Sequence, residues 1–194
     1  MKRPIFRATD DREVALCPRE REDTEFVRDN VNHHEVRRLM RNTDPKNAHV
    51  IDDQFEDFAD RDDSHNFTVY ADVDGTGDPD ERVGTIFVGH VDHVNGVAWM
   101  GAWIAPEYQG NGYAPRATTL VVDFAFAELN LAKVKAGVFE PNRPSQRVME
   151  KLGFEREGVH RNEVFIDGEH RDSYVYGIVR EEWERGDWNG ADYR

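Results

Sequence analysis

The sequence predicts a mixed α/β (α+β) fold: a mostly antiparallel sheet flanked by helices, in one domain over residues 1–194. Three observations predict it. Alternating apolar runs at 67–73, 82–91 and 96–105 read as a meander of strands separated by turn residues. Helical periodicity at 114–129 and 143–152 brackets a further strand at 132–139. Two last runs, 159–166 and 170–178, meet across Asp167-Gly168, a strong hairpin signal. Meander, helix, strand, helix and hairpin in that order suit a mixed sheet with helices packed on it.

The remaining elements follow in chain order. Residues 13–17 (EVALC) form a first strand. Asp23-Thr24-Glu25 opens a polar helix that runs to about residue 32. A second short helix, 35–41, carries Val36, Leu39 and Met40 at helical spacing. A third, 51–58, places Ile51, Phe55 and Phe58 on one face. Short helices after a first strand often wall a substrate cleft, although packing alone also explains them. Residues 74–80 are a loop, and the sequence there favours disorder. Trp183 and Trp188 lie in a polar tail and are expected to pack it back onto the sheet. No internal repeat or domain boundary is visible.

Composition narrows the function. The 194 residues suffice for one sizeable core, and 38% hydrophobic content marks a globular chain. The net charge is -14, from 39 acidic against 25 basic residues. Lysine occurs only at Lys2, Lys46, Lys133, Lys135 and Lys151. Acid excess with scarce lysine resembles proteins of salt-accumulating halophiles; an acidic mesophilic protein is the alternative. Either way nucleic acid is disfavoured as a partner, because its backbone needs a basic footprint. The apolar stretches are too short to span a membrane, and no secretory leader follows Met1. Cys17 stands alone, which fits a reducing, cytoplasmic setting. The eight histidines show no ligand spacing, so no metal is expected.

Gln109-Gly110-Asn111-Gly112 falls between a strand and a helix. Free N–H groups of such a loop and of the helix start converge on one point that suits a phosphate. Glycine at 110 and 112 removes the Cβ atoms that would block close approach. A Walker A loop requires Lys-Ser/Thr after its last glycine, whereas Tyr113-Ala114 follow here. A dinucleotide fingerprint requires a third glycine, which is missing. An ordinary tight turn is the remaining alternative.

These residues resemble the GNAT superfamily of acyl-CoA-dependent N-acetyltransferases. The stretch 101–114 is similar to that family's strand, pyrophosphate loop and helix, with Gln109, Gly112 and Ala114 on its signature. Asn142, Ser145, Val148 and Lys151-Leu152-Gly153-Phe154 resemble the second half of the cofactor site. Residues 161–176 resemble the closing hairpin of the RimJ/RimL branch. The resemblance implies a cofactor-binding core over about 82–154 and a closing hairpin over about 159–178. It implies acetyl-CoA as co-substrate, held in a gap between two splayed strands. Trp103, Ile104, Gln109, Gly110, Asn111, Gly112, Tyr113, Ala114, Asn142 and Ser145 would contact it. The backbone at Ile104 would stabilise a developing oxyanion. Asn142 followed by Pro144 is also a good helix start in its own right.

Acetyl transfer needs a neutral amine and a protonated leaving thiolate. Many superfamily members place a Tyr acid seven residues after the Asn. That position is Met149 here. Ser145 then becomes the candidate to hydrogen-bond the sulfur, and Glu163 the candidate base, with His90 and Asp92 as alternatives. Glu163 reads equally well as a paired surface acid, and His33-His34 as surface residues at a helix start. The expected reaction is direct attack of a primary amine in a ternary complex. A protein N-terminus, as in ribosomal-protein acetylation, is the first acceptor expected; a polyamine, aminoglycoside or amino acid is the second. A non-catalytic acyl-CoA sensor is the reading from another class. A homodimer is compatible with all of these.

Overall fold

The computed structural model describes residues 6–8, 13–40, 44–59 and 61–185. Trp188 lies outside them. The strands are β1 (Phe6–Ala8), β2 (Val14–Pro18), β3 (Ser64–Ala71), β4 (Glu81–Asp92), β5 (Val97–Ile104), β6 (Lys133–Phe139), β7 (Glu155–Ile166) and β8 (Glu169–Val179). The helices are α1 (Thr24–Asn32), α2 (His34–Arg37), α3 (Ala48–Ala59), α4 (Tyr113–Ala127), α5 (Arg143–Lys151) and α6 (Arg180–Arg185). Among the described residues the strands form one sheet in the order β1-β2-β3-β4-β5-β6-β8-β7. Every pairing is antiparallel except β5–β6.

Strand alternation divides the side chains between two covered faces. Val14 and Leu16 join the main core with Val69, Leu120, Val121 and Ala125 of α4, and Met149 and Leu152 after it. Ala15, Cys17 and Tyr70 form a cluster on the opposite face. Strand β2 is therefore buried from Val14 to Cys17, a run that would be unusual in a sheet open on one side. On that second face α1 and α3 pack together through Val27, Val31 and Ile51, with Phe26, Met40 and Trp103 against them. Phe55 is half-buried and Phe58 exposed, so the apolar face of α3 is only partly covered.

One carboxylate fixes α1 to the sheet. Asp23 is fully buried. It accepts hydrogen bonds from Thr68 Oγ1 at 2.9 Å, Tyr70 Oη at 3.2 Å and Arg82 Nε at 2.8 Å. It also accepts from the backbone N–H of Glu20 at 2.9 Å, closing a capping box. A buried charge is tolerated only when paired and saturated with donors, and Asp23 meets both conditions.

Several sequence expectations shift. The short strand β1 and helix α6 carry too few residues to register as periodic patterns. The second helix stops at Arg37 rather than 41, followed by turns. Strand β7 starts at Glu155, four residues before the expected hairpin. Loop 74–80 is organised, not open: the Asp72 carboxylate accepts from the N–H groups of Gly75, Thr76 and Gly77. Trp183 is buried in the main core, against Phe126 of α4 and with its indole N–H donated to Asp123.

Asp23→Ala is expected to lower unfolding stability by about 2 kcal/mol, because it takes the buried acceptor from the Thr68 and Tyr70 hydroxyls and the partner from the half-exposed Arg82. Urea titration at constant salt measures it. A loss below about 1 kcal/mol would show that the pair does not anchor α1.

Candidate active site

The interrupted pairing of β5 and β6 creates the site. The two strands run parallel, in register from Val97↔Lys133 to Met100↔Ala136, and pairing ends there. Strand β5 continues to Ile104 beside β4, with Ile104 opposite Gly84. Strand β6 continues to Phe139 beside β8, with Phe139 opposite Ser173. Residues 101–104 and 137–139 thus turn toward each other, across a wedge, backbone edges that no strand pairs, with only the terminal Ile104 and Phe139 carbonyls taken by loop and helix residues. Both strands leave the sheet at the same end, and each leads into a helix start. Crevices at the carboxyl ends of diverging parallel strands are where such sheets bind ligands.

At the β5 side, residues 106–108 form a turn of 3-10 helix and the glycine loop follows. Gly110 and Gly112 have φ of +80° and +82°, the left-handed region where a side chain is strained. A Cβ on Gly110 would meet nothing within 4 Å, so the loop is open at that point. Gly112 is the N-cap of α4, and no side chain caps the helix. The N–H groups of Gly112, Tyr113 and Ala114 therefore have no partner within the helix, and the positive end of its dipole faces the loop. This arrangement fits a diphosphate.

The loop side chains have separate duties. Gln109 donates its amide to the Ile104 carbonyl at 2.9 Å, tying loop to strand end. Asn111 donates to the Tyr108 carbonyl at 3.1 Å. Tyr113 is buried in the core, so only its backbone faces the cradle; the side chain is structural. Ala114 is half-buried. Trp103 stacks at a tilt on Phe26, ring centroids 5.7 Å apart, and so walls the wedge from the second face.

At the β6 side, Asn142 caps α5 by accepting from Ser145 N–H at 3.2 Å. Its Nδ2 has no hydrogen-bond partner among the described residues, so one side chain both caps the helix and keeps a donor. Ser145 is half-buried, and its hydroxyl likewise has no partner there. Gln146, which the sequence reading passed over, is buried and donates to the carbonyls of Phe139 at 3.3 Å and Glu140 at 2.8 Å. It holds the start of α5 against the end of β6. Met149 is buried in the core.

The proposed proton-moving residues fare differently. Val164 is buried against Phe139 and Ile166, so its neighbour Glu163 turns away. The Glu163 carboxylate lies 3.7 Å from His160 Nδ1 on the exposed edge strand, and β8 separates it from β6. His90 and Asp92 lie at the opposite end of β4, where Asp92 pairs with Val97. That is roughly 23 Å from Ile104 at ~3.3 Å per residue. Asp92 organises the turn there: Asn95 and Val94 donate to it and hold its carboxyl below the usual carboxylate range. His33 caps α2, as a helix-start residue.

A cross-link absent from the sequence reading spans the wedge mouth. Arg38 donates to Asp167 at the tip of the β7–β8 hairpin. It joins the wall formed by Met40, Phe26 and Trp103 to the wall formed by Phe139, Val164 and Ile166. The Arg38 hydrogen bond, then the charges of Arg38, His34 and Arg171, hold the Asp167 carboxyl below its ordinary range against desolvation.

Comparison with known proteins gives first the class. Residues 13–155 match the acetyltransferase (GNAT) domain family, well over half of the chain. The chain belongs to that family: it is an N-acetyltransferase, moving an acetyl group from acetyl-CoA to an amine. It is 33% identical over 171 residues to spermidine N(1)-acetyltransferase of Escherichia coli (strain K12), covering 88% of each chain. It is 36% identical over 101 residues to "Putative ribosomal N-acetyltransferase YdaF" of Bacillus subtilis (strain 168), covering 52% of this chain. In that match the chain spans only 55% of YdaF's length. The fold is similar to that of spermidine N-acetyltransferase from Vibrio cholerae in complex with CoA and spermine, with a TM-score of 0.80 and 23% identity. That match covers 88% of this chain and 98% of the other. No group of metal-ligating side chains occurs among the described residues, and no described helix is long and apolar enough to cross a membrane.

Gly112→Val should weaken CoA binding by at least tenfold and also cost roughly 1–2 kcal/mol of stability, because a β-branched residue is forced to positive φ. Calorimetry and a melting curve separate the two effects. Unchanged CoA affinity would remove this loop from the cofactor site.

Proposed function

We propose that the acceptor is the α-amine of a protein N-terminus, as in ribosomal-protein acetylation, attacking directly in a ternary complex. The observation that carries this reading is where the proton-moving candidates stand. Met149 is buried and cannot titrate, and Glu163 turns outward to His160. An α-amine titrates near 8, so about a tenth of it is neutral at pH 7. An alkylamine titrating near 10.4 is neutral to less than about one part in a thousand. A site whose named base candidates, among the described residues, stand away from the wedge suits the first far better.

Acetyl-CoA supplies the thioester. The chain's residues do the rest by position. The unpaired backbone of 101–104 and the Asn142 amide orient the pantetheine arm. Trp103 and Phe26 exclude water from one side. Ser145, at the first turn of α5, offers its hydroxyl to the departing sulfur, where the helix dipole also favours negative charge. The one cysteine, Cys17, is buried on the sheet face and plays no covalent part.

A spermidine-type polyamine is the second reading. The match along 88% of the Escherichia coli enzyme favours it, and a net charge of -14 attracts polycations. The arginines Arg38 and Arg171 grouped about Asp167 at the wedge mouth oppose it.

Peptide N-termini and spermidine, offered together and read by mass spectrometry, decide between them. Peptide acetylation is expected to dominate, with kcat/KM rising with pH and levelling above about 8 as the α-amine loses its proton. Transfer to spermidine alone would overturn the proposal. Ser145→Ala should lower kcat about tenfold, or ~1.4 kcal/mol in barrier, with little change in acetyl-CoA KM. An unaltered kcat would take Ser145 out of the reaction.

A further inference from the structure

The sheet carries a second cleft, away from the wedge. Ser64 of β3 stands opposite Gly89 of β4, and Gly89 opposite Trp99 of β5, where β5 and β6 are still paired. Strand β2 stops at Pro18 and β3 starts at Ser64, and a cleft of about 360 Å³ opens between these strand ends and the last turns of α3 and α4. Its apolar lining includes Phe55 and Phe58 of α3 and Phe124 of α4. Phe58 is 38% exposed, and His65 meets Phe124 edge-on with ring centroids 5.2 Å apart. A cavity of this size suits a small molecule, and aromatic walls suit one with an apolar or aromatic body.

Arg19 lines the same cleft, and the fold does not account for its side chain. Its backbone N–H extends the β2–β3 pairing by donating to the Asn66 carbonyl at 3.0 Å. Its guanidinium makes no hydrogen bond among the described residues, and Nε is closed off from solvent without a partner. Burial pushes the guanidinium below its ordinary pKa, against the opposing charge of Asp23. The Asp23 carboxylate is itself taken up by Thr68, Tyr70, Arg82 and the Glu20 N–H. Arginine stays cationic even so. A desolvated cation without an acceptor is unfavourable, and an anion in the cleft offsets that penalty.

The neighbouring polar groups point to the same charge. The His65 imidazole makes no hydrogen bond among the described residues. Burial, then the charge of His93, holds it below the ordinary histidine range, so at pH 7 it is a neutral ring with an N–H to donate. Ser64 Oγ accepts from Asn66 Nδ2 at 3.1 Å and keeps its own proton for another acceptor. Glu128, the one acid among the described lining residues, is exposed, where salt screens it.

We propose that this cleft binds a small carboxylate with an aromatic or apolar body, the carboxylate taken by Arg19 and the body seated against Phe55, Phe58 and Phe124. The free Nη groups supply the two parallel donors that a carboxylate accepts. Ser64 and His65 offer further donors. A cationic ligand finds no desolvated acid here.

The test titrates the whole chain by calorimetry with hydrocinnamate (a phenyl ring on a short chain ending in a carboxylate), its amide, phenylpropylamine and inorganic phosphate. Each titration is run with and without saturating CoA at one fixed salt concentration. Hydrocinnamate is expected to bind, with the amide about tenfold weaker or more, and the amine and phosphate undetected at millimolar concentration. CoA should leave the hydrocinnamate affinity unchanged, because the wedge lies elsewhere. Arg19→Gln should weaken hydrocinnamate binding about tenfold or more, and Phe58→Ala should weaken it less, while both keep the wild-type affinity for CoA. Melting curves give an independent reading. Arg19→Gln should hold or raise Tm, because it removes an unpaired desolvated cation, and hydrocinnamate should raise Tm in wild type alone. Failure of hydrocinnamate to bind at millimolar concentration would overturn the proposal. So would equal affinity for the amide or for phosphate, tighter binding of the amine, binding that survives Arg19→Gln, or displacement by CoA. A marked fall in Tm for Arg19→Gln would overturn its premise, by showing that the guanidinium already has a structural partner.

Discussion

The site depends on where one pair of strands stops bonding. β5 and β6 hold together for four residue pairs and then diverge. Each is secured on its far side along its whole length, β5 by β4 and β6 by β8. The wedge is therefore a rigid gap between two well-anchored edges, not a frayed end. Its open backbone groups would be costly to bury unpaired, so it is a place where an extended, amide-bearing ligand gains bonds that the sheet does not make. The helix starts at Gly112 and Asn142 put two positive dipole ends at the wide end of that gap.

The rest of the fold serves this geometry. Gln109 and Gln146 do matching work on the two sides: each ties the segment after a wedge strand back to that strand's last carbonyls. Asp23 fixes α1 to β3 and β4, which places Phe26 against Trp103. Arg38 and Asp167 join the helical wall to the hairpin. A chain with so large an acid excess thus spends two of its arginines at defined points: one beneath α1, one across the mouth. The exposed Arg38–Asp167 pair adds little to stability, being screened by salt, so its significance is positional.

Much of the fold was legible because it is local. Alternation located β4 and β5, and the loop's glycines proved to need the positive φ that only they adopt easily. Asn142 was legible as the cap of α5. What the sequence hid was long-range or depended on parity. Asp23 reads as a helix opener, and it is one; its partners at Thr68, Tyr70 and Arg82 lie 45 to 59 residues away. The irregularity of β7 was also hidden: the strand is interrupted between His160 and Val164, with Asn162 at φ +53°, and such a bulge breaks the inward–outward count. Tyr113 sits in the loop signature, yet its ring belongs to the core.

The most direct measurement is a crystal structure with CoA bound. The account predicts the pantetheine arm between residues 101–104 of β5 and 137–139 of β6, with the diphosphate over Gly110–Ala114. CoA found elsewhere, such as the cleft of about 360 Å³ between Phe58, His65 and Phe124 at the far end of the sheet, would contradict it.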